Sequence, residues 1–75
     1  MSPTDRSYLL SNAIYPPECL DRSIVEFRNL CAVKKQSVGN GVTEITLNTL
    51  DGAPDETPEE FMNFLLSASL EKLLI

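Results

Sequence analysis

Apolar and polar residues alternate along the chain in five blocks, and the last block carries more apolar surface than a single helix needs. Thr57-Pro58-Glu59-Glu60 reads as a helix start. It has a hydroxyl cap, a proline at the first helical position, and a glutamate three residues after the threonine to complete a capping box. Beyond it, Phe61, Phe64, Leu65 and Ala68 recur at helical spacing as one stripe, while Met62, Leu66, Leu70 and Leu73 form a second stripe beside it. The helix is expected to run from Thr57 to Ile75. One apolar stripe seats a surface helix on its core, so the second is expected to meet another protein chain.

The preceding blocks are shorter. Ser7 to Ile14 contains tyrosine and isoleucine with partial alternation and predicts a first strand, although Leu9, Leu10 and Ala13 also suit a helix. Tyr15-Pro16-Pro17 stops it, because prolines donate no backbone hydrogen bond and push the preceding residue out of the helical region. Pro17 then opens a helix expected to reach Leu30 or Cys31, with Leu20, Ile24, Phe27 and Cys31 on one face and Glu18, Asp21, Arg22, Glu26 and Asn29 on the other. A Glu18–Arg22 pair across one turn would add about 0.2–0.5 kcal/mol. Ala32 to Val38 and Val42 to Asn48 read as strands around Gly39-Asn40-Gly41, whose residues accept the positive φ of a tight hairpin. Thr43, Ile45 and Leu47 share one side of the second of these strands. Lys34 and Lys35 are the kind of residue that shields a sheet edge. Thr49 to Glu56 is an acidic loop with glycine and proline.

The order is β-α-β-β-α, which places the chain in the α+β class. A crossover helix makes the first and second strands parallel, and the hairpin makes the third antiparallel to the second. The simplest sheet has the third strand in the middle and both helices on one face, a ferredoxin-like arrangement truncated to three strands. The first strand is then an exposed edge, open to a second copy or to a peptide by strand addition. Tyr8 and Leu10 join Met62, Leu66, Leu70 and Leu73 as expected partner-binding residues.

Length sharpens that expectation. Residues 1–75 make a single small domain, with 1–6 polar and expected to be disordered. Such a domain is marginal without disulfides, a metal or a partner. Two cysteines and no histidine give neither a disulfide framework nor a common zinc pattern. No metal or other cofactor is expected. A net charge of −5, from 11 acids and 6 bases, opposes binding to nucleic acid. No segment has the length or apolarity of a membrane span. The chain is expected to be cytoplasmic.

Candidate chemistry is sparse. Without histidine there is no Ser-His-Asp or Cys-His arrangement, and Gly39-x-Gly41 lacks the strand-to-helix setting of a phosphate loop. Asp55, Glu59 and Glu60 fit a helix N-terminus, where negative charge is favoured, better than an acid-base or cation site. Cys19 lies in the first turn of a helix, a position that lowers a thiol pKa. Glu18 beside it opposes that effect, and Cys31 would lie about 18 Å away if one helix spanned both. No catalytic residue is expected, and a thiol-dependent protein using Cys19 is the competing class. A dimeric small-molecule-binding regulatory module is a third.

The tyrosine before the first helix, the strand pair, and the closing run Glu60-Phe61-Met62-Asn63-Phe64-Leu65 through Leu70-Glu71-Lys72 resemble the small D component of His-Xaa-Ser peptide-modification systems. In that family the closing helix ends in Leu-Leu-Asn-Asp-Tyr-x-Leu-Arg-Glu. Here Phe64, Leu65 and Leu70 fit its apolar positions, Leu66-Ser67-Ala68 stand in place of Asn-Asp-Tyr, and Glu71-Lys72 reverses the charge order. The resemblance implies a non-catalytic accessory protein that assists a radical S-adenosylmethionine enzyme in modifying a peptide. The expected partners are a second copy or a larger protein, together with a peptide on the first strand.

Overall fold

The pairing pattern of the strands sets the architecture of the protein, which the computed structural model describes over residues 5–74. Five elements follow one another: β1 (Asp5–Ser11), α1 (Pro17–Glu26), β2 (Cys31–Gly39), β3 (Val42–Thr49) and α2 (Thr57–Leu74). The sheet order is β1-β3-β2, with both outer strands antiparallel to β3. This is the ferredoxin-like order without a closing strand.

Register decides which side chains enter the core. Across β3, Tyr8 lies opposite Ile45 and Leu10 opposite Thr43, while Val33 faces Leu47 and Cys31 faces Thr49. Opposed residues share a sheet face. Leu10, Cys31, Ile45 and Leu47 are buried on that face against Cys19 and Leu20 of α1 and Phe61 and Leu65 of α2. Phe27 seals the seam between the helices, meeting Phe61 and Phe64 edge-on at ring-centre distances of 5.4 and 5.7 Å. The other sheet face carries Ser7, Leu9, Glu44, Thr46, Asn48, Lys34 and Gln36, a largely polar surface with no helix over it. On it, Ser7 and Thr46 hydroxyls are 3.3 Å apart, and the Asn48 amide donates to the Asp5 carboxylate.

Several boundaries differ from the sequence expectation. β1 begins at Asp5, inside the stretch expected to be disordered, and stops at Ser11 rather than Ile14. The amides of Ile14 and Tyr15 both donate to the Ser11 carbonyl, at 3.1 and 2.8 Å, and fold the expected strand end into a turn. α1 ends at Glu26, four or five residues early. Leu30 and Cys31 both donate to the Phe27 carbonyl at 2.9 Å, and Cys31 then pairs with Thr49 as the first residue of β2. Cys19 and Cys31 therefore do not share a helix, and both are free, buried thiols. A bulge at Val38 shifts the β2 register before the hairpin.

The predicted capping box is not formed. Thr57 is already helical, and its hydroxyl donates back to the Pro54 carbonyl at 2.6 Å, while the Glu60 amide bonds the Glu56 carbonyl at 3.0 Å. Glu18 likewise pairs with Lys72 of α2 at 2.6 Å, not with Arg22. In both cases a tertiary or loop partner displaces the local one.

Candidate docking surface

α2 has 18 residues and an inner face made by Phe61, Leu65 and Ser69, all buried. One hundred degrees around the helix from each preceding residue, the second stripe comes out differently along its length. Met62 is half-buried and packs against the core. Leu66, Leu70 and Leu73 are 40, 49 and 55% exposed, a run at i, i+4 and i+7. Leu74, not singled out in the sequence, is 85% exposed beside them. Glu59 is exposed and lies two turns before Leu66, so it continues the same line in acidic form. The apolar row is flanked by exposed Asn63 and Ser67.

β1 is a sheet edge, as expected, and its side chains divide sharply. Leu10 is 3% exposed within the core, and Tyr8 is partly buried beside it. Both point beneath the helices, so the strand presents its backbone and Leu9, which is 69% exposed on the polar sheet face. The Asn12 amide donates to the Gly41 carbonyl at 2.8 Å, which fixes the parity of the ladder. Arg6, Tyr8 and Leu10 direct their backbone groups to β3, and Ser7 and Leu9 direct theirs outward. The open stretch is short. Arg6 holds the Asp5 carbonyl at 3.2 Å, and the turn after β1 takes the Ser11 carbonyl. Only the β3 register separates Tyr8 and Leu10 from Leu9, and that information is absent from the strand's own sequence.

The remaining candidates are absorbed by structure. The Cys19 thiol is 7% exposed and donates to the Ala68 carbonyl at 3.6 Å, across the contact between α1 and α2. It lines a groove of about 300 Å³ between the helices, bordered by the Glu18–Lys72 ion pair. That hydrogen bond to Glu18 is the main cause holding the Lys72 pKa above its ordinary value. Lys35 pairs with Asp21 of α1, while Lys34 lies on the opposite sheet face. Among the described residues no group of three or more acids, cysteines or histidines could hold a metal ion, and no helix is long and apolar enough to cross a membrane.

Comparison with family models matches none to the chain, and comparisons with curated proteins and with solved structures find no significant match.

Proposed function

We propose that the protein is a non-catalytic docking module that a larger protein holds by α2. The observation that carries this reading is the exposed row Leu66, Leu70 and Leu73. Helices that bind in grooves present anchors at this i, i+4, i+7 spacing. Charge favours a larger protein over a second copy. The chain bears −5, and Glu59 lies in line with the leucines, so the partner groove is apolar with a basic end, whereas two copies would bring like charges together. A standard interface takes about 800 Å² from each partner. Three partly exposed leucines supply less than that, so the contact extends past them onto Asn63 and Leu74, which are exposed beside the row.

The sequence resemblance to the D component of His-Xaa-Ser systems supports a radical S-adenosylmethionine peptide-modifying enzyme as the larger partner. The outward backbone of Ser7 and Leu9 then remains available to a substrate peptide as an added strand.

Native mass spectrometry of the protein mixed with a radical S-adenosylmethionine peptide-modifying enzyme from the same genome is the direct test. A one-to-one complex is expected, weakened at least tenfold by Leu70→Glu. Leu70 is half exposed, so this variant should keep the parent's circular dichroism spectrum. Binding that ignores the substitution overturns the assignment of α2. A mass that doubles with concentration, abolished by the same variant, gives the stripe to self-association instead.

A further inference from the structure

Both helices leave the hairpin end of the inner sheet face uncovered, and a cavity of about 300 Å³ opens there. Its floor is apolar. Leu10 and Leu20, 3 and 4% exposed, form the bottom, and Pro17 at the start of α1 forms a wall. The rim is polar and is drawn from three separate elements: Asn12 after β1, Lys35 and Ser37 on β2, and Thr43 on β3.

Two of the rim side chains, Asn12 and Lys35, offer hydrogen-bond donors. The Thr43 hydroxyl donates to the Asn12 side-chain oxygen at 2.8 Å. This takes one of the two acceptor sites of that oxygen and leaves the amide's NH₂ group to donate. Among the described residues Lys35 contributes the one formal charge in the lining. Its ammonium has three donors, of which Asp21, outside the lining, takes one. Among the described residues no carboxylate lines the cavity, although acids outnumber bases 11 to 6 in the chain. A carboxylate accepts hydrogen bonds and donates none. An apolar floor beneath such a rim suits a body about the size of one aromatic ring or a branched alkyl group, at the small end of ligand pockets.

From this arrangement we infer a binding site for a small carboxylate joined to an apolar body. The carboxylate lies against Lys35 and Asn12, and the body rests on Leu10 and Leu20. The chemistry is the same for a free organic acid and for the C-terminal residue of a peptide. The assignment does not rest on the α2 docking reading, because the cavity and the leucine row share no residue.

The test is a titration of the ¹⁵N-labelled full chain, followed by amide shifts. Phenylacetate represents the free acid and acetyl-Gly-Gly-Phe the peptide, each compared with its neutral amide. Saturable shifts at Asn12, Lys35, Ser37 and Thr43 are expected from at least one acid, and the tighter of the two identifies the source. The matching amide should bind at least fivefold more weakly. Lys35→Met should weaken the acid at least tenfold, while Asp21→Asn, which frees the ammonium, should leave binding intact or strengthen it. Lys35 and Asp21 side chains are both about half exposed, so both variants should retain the parent's dispersed spectrum. The inference is overturned if neither acid saturates these amides, if acid and amide bind alike, or if Asp21→Asn abolishes binding as Lys35→Met does.

Discussion

Cys31 carries the clearest residue-scale consequence of burial. It is 2% exposed where the chain enters β2, and desolvation pushes its thiol pKa above the ordinary value of 9.0. Ionisation is therefore favoured in the unfolded chain. Below the unfolded pKa both states are protonated and this group's contribution is constant. Above it the unfolded chain loses the proton first, so stability falls as pH rises toward the folded pKa. Urea midpoints should be insensitive to Cys31 between pH 7 and 8.5 and fall between pH 9 and 10.5, with a smaller fall in Cys31→Ala. Equal slopes in the two proteins would remove Cys31 as a cause. Other positions show how far residue type alone can lead. Phe61, Leu65, Ile45 and Leu47 are fully buried, as the stripes require. Ser23 and Ser69 are equally buried in the helices, and nothing in a serine announces it. Ser23 tolerates the position because its hydroxyl donates to the Cys19 carbonyl one turn back, at 2.9 Å.

Among elements, the hairpin was the most legible. Gly39, Asn40 and Gly41 adopt φ of 92, 54 and 73°, the conformation their residue types favour. A Cβ at Gly41 would meet nothing within 4 Å, so the cost of substitution is conformational alone. Gly41→Ala should lower unfolding stability by about 1–2 kcal/mol, read from urea denaturation, whereas Asn40→Gly should change it by only a few tenths. A neutral Gly41→Ala would show that the hairpin does not hold this geometry in solution. Element ends were less legible than element kinds. The apolar period that defines α1 continues through Phe27 to Cys31, so periodicity alone extends the helix. The sheet instead takes Cys31 to pair with Thr49. Likewise Ile14 fits a strand by type but lies 51% exposed after the turn that closes on Ser11.

For the whole molecule, Phe61 is the point at which α2, the Phe27 seam and the sheet meet, with none of its surface exposed. A chain of this length has roughly 4–11 kcal/mol of stability by the usual value per residue. Removing a buried phenylalanine side chain costs about 3–5 kcal/mol. Phe61→Ala should therefore lose most cooperative unfolding in a thermal melt, while a small change in melting temperature would mean that the core does not converge on this ring. The chain's own pattern determined the β-α-β-β-α order, the central β3, the hairpin and the surplus of leucine on the last helix. Those features follow from side-chain period, backbone preference and connection length, all local properties of a sequence. Only the tertiary structure decided that Tyr8 and Leu10 turn inward while Leu9 turns out, that Glu18 reaches Lys72, and that Lys35 overlooks an apolar cavity. Each depends on which residues of distant segments come to lie opposite one another. That register is set by the joint packing of sheet and helices and not by any one segment.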